Sequence, residues 1–306
     1  MERRNFTWVD IITYIAVLLL AVIGMTVSSL VISALFGIDF SALAGATEFT
    51  DKELLGFKFM QLMSSAFIFI LPPLVWVYFF VGKKEVGNFF GLNKKLQEKP
   101  LLWAVLFMLS IFPALSVVMF LNQQMVLPSF MADIEAWMRQ QEQDAAALTQ
   151  SFLQAGNVFD LLFNIVVIAL IPAIGEELTF RGIFQNLLQK ISGNPHLAIW
   201  VSAAIFSFIH FQFFGFFPRW FIGVGLGYLY WWSGNLWYPI IGHFVNNAFQ
   251  VVLAYWGVME VEDTALPQTT QEISILFVSG LISLVVALVL AKWFRDYFNA
   301  RRRKLE

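Results

Sequence analysis

Apolar residues are grouped along the chain in eight runs that are each long enough, or nearly long enough, to cross a lipid bilayer. Short polar segments separate the runs, and the middle runs are the shortest and most closely spaced. This pattern predicts an all-α fold, a bundle of about eight transmembrane helices. The runs cover residues 8–36, 57–81, 100–121, 157–175, 197–214, 217–233, 236–257 and 273–294.

Charged residues between the runs predict the orientation of the bundle. Lys and Arg accumulate in cytoplasmic loops, and here they precede the first run, fill the segment between the second and third, and follow the last. The remaining long segments are acidic, so eight spans with both termini cytoplasmic satisfy the whole pattern. The basic residues are Arg3, Arg4, Lys83, Lys84, Lys94, Lys95, Lys99, Lys292, Arg295, Arg301, Arg302, Arg303 and Lys304. The acidic residues are Asp39, Glu48, Asp51, Glu53, Asp133, Glu135, Glu142, Asp144, Glu260, Glu262, Asp263 and Glu272.

The runs and loops divide a single transmembrane domain, residues 1–306, into successive parts. Residues 1–121 hold the first three helices, and residues 157–257 hold the helices that carry polar motifs. Residues 273–304 hold the last helix and a basic tail. Between the first two parts, residues 122–156 form an extracytoplasmic loop, which we predict to be an amphipathic surface helix in preference to a functional lid.

Composition agrees with a polytopic membrane protein. Hydrophobic residues make up 59% of the chain and charged residues 13%, with a mean hydropathy of +0.71, whereas soluble domains are about 25% charged. The chain has no cysteine, which excludes disulfides, thiolate metal ligands and a cysteine nucleophile. The basic tail predicts an anchor to anionic lipid rather than a nucleic-acid site. We expect the protein in the inner or plasma membrane of a prokaryote.

Three ionisable residues stand together at the predicted cytoplasmic end of the fourth run, in Glu176-Glu177-Leu178-Thr179-Phe180-Arg181. A charge in the bilayer centre costs about 2.5–3.5 kcal/mol or more, so such residues pair, face a wet cavity or do chemistry. Glu177 and Arg181 lie one helical turn apart and can pair. Glu176 points about 100° away from its neighbour. It is either a spare carboxylate at the membrane interface or a functional group.

Two further motifs place histidines in later runs: Phe206-Ser207-Phe208-Ile209-His210 and His243-Phe244-Val245-Asn246-Asn247. Each histidine by itself would most often serve as an interhelical hydrogen-bonding group. Together with the glutamates, however, the two histidines and Asn247 form a set that can bind a divalent metal or activate a water molecule. Amide hydrolysis needs a base, donors for the oxyanion and an acid for the leaving amine, and Glu, His and Asn supply these roles.

The three motifs together resemble those of the CPBP family of intramembrane proteases, which includes the type II CAAX prenyl endopeptidases and the Abi-type immunity proteins. The family pattern is Glu-Glu-x-x-x-Arg, then Phe-x-x-x-His, then His-x-x-x-Asn or Asp, and this chain carries all three in that order. The resemblance covers about residues 170 to 250. It leaves the first three runs and the acidic loop unmatched.

The resemblance implies a role for each motif residue. Glu176 would be the general base that activates water, assisted by His210. His243 and Asn247 would stabilise the oxyanion, or would join Glu176 and His210 as ligands of one divalent metal such as zinc. Glu177 and Arg181 would hold the helix end and engage the substrate terminus. A metal-free mechanism and a metal-dependent one both remain open at this stage.

The sequence therefore predicts an intramembrane endopeptidase that cleaves a membrane-embedded or lipid-modified (CAAX-like) peptide. A first alternative is a non-catalytic immunity or scaffold protein of the same fold that binds a peptide. A second is an ion or proton transporter, although the chain shows no repeat of the kind that transporters use. The expected partners are a peptide or protein substrate and the bilayer, with no nucleic acid and an undetermined oligomeric state.

Overall fold

The computed structural model describes residues 8–40, 42–43, 46, 49–258, 267 and 269–304. Several charges used to predict the orientation, Arg3, Arg4, Glu48, Glu260, Glu262 and Asp263, lie outside the described residues. In the described part the chain is helical and contains no strand. The predicted all-α class is thus confirmed, and the cytoplasmic position of the termini stays a prediction.

The described part of the chain contains nine long helices, with short helical turns at Lys83–Glu85, Val86–Phe89 and Ser129–Met131 between them. We number them α1 Trp8–Phe36, α2 Asp51–Val81, α3 Glu98–Gln123, α4 Ala132–Leu153, α5 Val158–Ser192, α6 Pro195–Phe208, α7 Phe216–Ser233, α8 Trp237–Tyr255 and α9 Thr270–Arg303.

Each of the eight predicted runs coincides with one of these helices. Within the described residues, α1, α2, α3, α5 and α9 are long and apolar enough to cross a membrane by themselves, which confirms a polytopic membrane protein. The other three, α6 to α8, are 14 to 19 residues long. The predicted run 197–214 is too long, because α6 ends at Phe208 and the apolar residues that follow form a turn.

The end of α5 follows from local sequence. Gly193 takes a left-handed conformation with φ of 68° and closes the helix. Asn194 then caps α6, since its side chain accepts from the backbone N–H groups of His196 and Leu197, and Pro195 occupies the first turn. Local sequence at residues 192–195 thus ends α5 and begins α6.

Helix α5 packs against α2, α6 and α8. Helix α7 lies between α6 and α8 and also contacts α3 and α9. Gly223 permits the close approach of α7 to α6, since a Cβ at this glycine would lie 3.0 Å from the Cβ of Ala203. The three motif-bearing helices α5, α6 and α8 therefore converge on one region.

Helix α4 is the predicted amphipathic helix of the long loop. Trp137 contacts the ring of Phe213 at a centroid distance of 5.5 Å, and the guanidinium of Arg139 lies 4.4 Å from the ring centre of Phe214. The helix therefore covers the turn between α6 and α7.

A cavity of about 850 Å³ lies elsewhere, between α2, the end of α4, the start of α5 and the end of α8. Its lining includes Lys58 and Asp160 but none of the motif residues. The motif residues therefore lie outside this cavity, and the candidate active site is identified by side-chain chemistry rather than by cavity size.

Candidate active site

Glu177 and Arg181 form a buried ion pair on α5. Arg181 Nη1 donates to Glu177 Oε1 over 2.6 Å, and only 2% and 0% of the two side chains are exposed. Arg181 Nη2 donates to the carbonyl of Gly223 on α7 over 2.9 Å, and the guanidinium lies 5.0 Å from the ring centre of Phe206 on α6. The predicted pairing is confirmed, and the pair joins three helices.

His243 on α8 lies between the two glutamates. Its Nδ1 is 2.8 Å from Glu177 Oε1, and its Nε2 is 3.6 Å from Glu176 Oε2. Since a carboxylate only accepts, Nδ1 carries a hydrogen and donates to Glu177. This bond orients the imidazole and directs Nε2 towards Glu176.

The two neighbouring glutamates therefore differ in their surroundings. Glu177 accepts from both Arg181 and His243 through one oxygen and is completely buried. Glu176 keeps 11% of its side chain exposed, and within the described residues its carboxylate makes no hydrogen bond. It is thus the carboxylate that remains available to a substrate or a water molecule.

His210 lies just beyond α6, in the turn that leads to α7. Its Nδ1 is 2.8 Å from the carbonyl oxygen of Phe206, which must accept, so Nδ1 carries the hydrogen and a neutral ring presents a lone pair on Nε2. The ring of Phe206 contacts both imidazoles, with centroids 5.1 Å from His210 and 5.9 Å from His243. Phe206 thus contacts both histidines through one aromatic ring.

Asn247 is turned away from the glutamates. Its Nδ2 donates over 3.3 Å to the carbonyl of Ile168 on α5, and its Oδ1 accepts from Asn246 over 2.9 Å. Ile168 lies in a π-helical stretch of α5, Ile165–Leu170. Asn247 therefore joins α8 to α5 through this carbonyl, in addition to any part it takes in catalysis.

The site lies near the middle of α5 rather than at its end. The apolar run was expected to finish at Gly175, but the helix continues to Ser192, 16 residues beyond Glu176, or about 24 Å at 1.5 Å per residue. The position of the site relative to the cytoplasmic face stays a prediction. Pairing of Glu177 with Arg181 and His243 explains how the charges are accommodated inside the bundle.

The backbone of α5 also changes form at the site. From Leu178 to Phe184 the helix is wound as a π-helix, and Arg181 lies within this stretch. The same form occurs at Ile165–Leu170 of α5 and at Ser65–Ile70 and Val77–Val81 of α2, so it does not by itself mark the site. This feature could not be identified from residue spacing.

A fourth charged residue, missed by the motif analysis, belongs to the same region. Arg219 lies in the first turn of α7, and its Nη2 donates over 2.6 Å to Gln212 Oε1. Gln212 is two residues after His210, so this bond attaches the guanidinium to the turn that carries His210. The signal was present in the sequence, because Arg219 is the single Lys or Arg between Lys190 and Lys292.

The predicted metal alternative fits this arrangement poorly. Among the described residues, no three His, Asp or Glu side chains are grouped so that they could hold a metal ion. The proposed fourth ligand, Asn247, would bind through Oδ1, but this oxygen accepts a hydrogen bond from Asn246 Nδ2 over 2.9 Å, and an amide is in any case a poor ligand for zinc. We therefore derive no catalytic step through a metal.

Comparison with known proteins supports the resemblance predicted from the motifs. Residues 158–249 match the family model described as "Type II CAAX prenyl endopeptidase Rce1-like", which begins at α5 and ends within α8. The chain is also 29% identical over 92 residues to "Uncharacterized protein YpbD" of Bacillus subtilis (strain 168), covering 28% of this chain and 42% of that protein. The similarity thus spans less than half of the relative's length. No solved structure matches the chain.

Proposed function

Because residues 158–249 match a family of type II CAAX prenyl endopeptidases, we propose that this membrane protein is an intramembrane endopeptidase. Its substrate would be a peptide or protein with a membrane-embedded segment or a lipid anchor. One observation supports the chemistry most directly. Of two adjacent buried glutamates, Glu177 is occupied by Arg181 and His243, whereas Glu176 retains an accessible carboxylate 3.6 Å from His243 Nε2.

In the proposed reaction Glu176 removes a proton from a water molecule, whose oxygen attacks the scissile carbonyl carbon. His210, with its lone pair on Nε2, assists this proton transfer. The proton then passes to the leaving nitrogen as the C–N bond breaks, which yields a carboxylic acid and an amine. General base catalysis of this kind contributes about 10²- to 10⁴-fold.

His243 supplies the hydrogen-bond donor for the oxyanion. Glu177 holds Nδ1–H in place and Nε2 faces Glu176, so in the proposed reaction His243 donates to the oxyanion from Nε2 as an imidazolium, with a hydrogen on both ring nitrogens. Loss of one such donor typically costs about 10²- to 10³-fold in turnover. Asn247 would join His243 in this role if its second amide hydrogen faces the substrate.

Cleavage of an S-farnesylated CAAX tetrapeptide by the purified full chain tests the proposal. We expect Glu176→Gln to lose about 10²- to 10⁴-fold in turnover. Glu98→Gln, a matched change at an exposed position in the first turn of α3, should leave turnover unchanged. Equal turnover in wild type and Glu176→Gln would refute the assignment of the base.

Two further arms separate the alternatives. Activity that survives exhaustive chelation supports the metal-free reaction, whereas loss that one added divalent metal restores would overturn it. The scaffold hypothesis would be favoured instead by a folded wild-type protein that binds the lipopeptide but cleaves neither the lipopeptide nor an unlipidated membrane peptide.

A further inference from the structure

Arg219 is an isolated cation in an apolar part of the chain. It follows Phe216-Phe217-Pro218 at the start of α7, beyond the turn that carries His210. A guanidinium removed from water costs several kcal/mol unless it is paired. Its position therefore calls for a partner.

The described residues satisfy this guanidinium incompletely. Nη2 donates to Gln212 Oε1 over 2.6 Å, but Nη1 is buried and has no hydrogen-bond partner in the described part of the chain. Among acidic side chains, Glu142 on α4 has the largest electrostatic effect on Arg219. Its Oε2 accepts instead from the backbone N–H of Phe214 over 3.1 Å, and no described carboxylate forms an ion pair with Arg219.

The other arginine of the site cannot serve a substrate. Arg181 is 1% exposed, and its two terminal nitrogens are used by Glu177 and Gly223. Arg219 is less deeply buried, it is bonded to Gln212 in the turn that carries His210, and it keeps a donor unused. It is the cation of this region that an anionic ligand could still engage.

We propose that Arg219, oriented by Gln212, binds a carboxylate of the peptide substrate and so determines specificity beside the scissile bond. The inference rests on the proposed function, because it assigns a subsite of the same active site. A guanidinium presents parallel N–H donors that match the two oxygens of a carboxylate. The role expected of Arg181 from the sequence, contact with the substrate terminus, thereby falls to Arg219.

Binding of three probes to the full-length Glu176→Gln protein tests the proposal without catalysis. The probes are fluorescent S-farnesylated tetrapeptides: one with a free C-terminus, one with a C-terminal amide, and one amide with Glu as its last residue. We expect at least one acidic probe to bind about 10- to 100-fold more tightly than the neutral amide. Adding Arg219→Gln should abolish this preference and leave affinity for the neutral amide unchanged.

The matched control is Arg295→Ala, which removes an exposed arginine paired with Asp296 and should retain the preference. If Arg219→Gln does not fold, Arg219→Lys and Gln212→Ala replace it; each should weaken the acidic probe several-fold while sparing the amide. Comparing the two acidic probes distinguishes a C-terminal carboxylate from a side-chain carboxylate.

Each outcome bears on a different claim. Absence of any preference for acidic probes, or a preference that survives Arg219→Gln, overturns the subsite. Cleavage of acid and amide peptides with equal efficiency by the wild type also overturns it, while leaving the protease assignment intact. An acid preference that depends on Arg219 in a protein that cleaves neither peptide keeps the subsite and refutes the proposed function.

Discussion

Replacing Arg181 by Ala should be among the most destabilising single changes in the bundle. The side chain makes an ion pair with Glu177 at 2.6 Å, a hydrogen bond with the Gly223 carbonyl at 2.9 Å, and a cation–π contact with Phe206 at 5.0 Å. These contacts connect α5 with α7 and α6. The alanine variant loses all three and leaves Glu177, which has no exposed surface, without its cation.

Removing one partner of a buried ion pair typically costs about 3–5 kcal/mol, because the other charge stays buried and uncompensated. His243 continues to donate to Glu177 over 2.8 Å, so we expect a loss near the lower limit, about 3 kcal/mol. The exposed pair of Arg295 and Asp296, with 44% and 49% of its side chains accessible, should contribute at most about 1 kcal/mol.

Equilibrium unfolding in mixed micelles, with an increasing fraction of denaturing detergent, measures both variants against the wild type. The double variant Glu177→Gln/Arg181→Met removes both charges, so it should be more stable than Arg181→Ala alone. The reasoning is refuted if Arg181→Ala loses less than about 1 kcal/mol, as expected for Arg295→Ala, or if the double variant is the less stable of the two.

The remaining predictions concern the neighbouring α4 and a tight turn. Burial raises the pKa of Glu142 above its ordinary value of 4.5, despite the opposing effects of a backbone N–H and Arg219. Since the folded state binds this proton at a higher pH than the unfolded state, stability falls as pH rises through the range just above 4.5. Glu142→Gln should therefore flatten the pH dependence of thermal unfolding there, and an unchanged profile would contradict the prediction. The same variant should strengthen the preference for acidic peptides, since it removes a negative charge that acts on Arg219; a weaker preference in the binding assay would argue otherwise. Gly91→Ala should destabilise the fold by about 2 kcal/mol or more, because Gly91 has φ of 69° and a Cβ would collide with the carbonyl of Gly234. Its control, Gly193→Ala, shares a φ of 68° but meets no atom within 4 Å, so denaturation should show the smaller loss, about 1 kcal/mol.

Helix positions were predictable where local sequence determines them. The eight apolar runs became helices, and the stop at Ser192 to Pro195 is made by a left-handed glycine followed by an asparagine cap. The end of α6 was not predictable from hydropathy, because residues 209–214 are almost as apolar as the helix. The chain leaves the helix there with Phe211 at φ of 54°, while Ser207 bonds to the carbonyl of Phe216.

Within the site, the contact between Glu177 and Arg181 followed from i,i+4 spacing, since both lie on one helix. Contacts between helices did not follow in the same way. The bond from His243 to Glu177 joins residues 66 positions apart, and no periodicity specifies which of two adjacent carboxylates receives it. Asn247 likewise donates a hydrogen bond to the Ile168 carbonyl rather than to either glutamate.

The sequence by itself determined the class of protein, the helices and the residue types available for chemistry, because hydropathy, caps and helical spacing are properties of neighbouring residues. Only the tertiary structure decided which charged side chains pair with each other and which stay available. It pairs Glu177 with Arg181 and His243, leaves Glu176 accessible, and bonds Arg219 at the start of α7 to Gln212 in the turn that carries His210. The physical reason is that the cost of a buried charge depends on which groups the other helices place beside it.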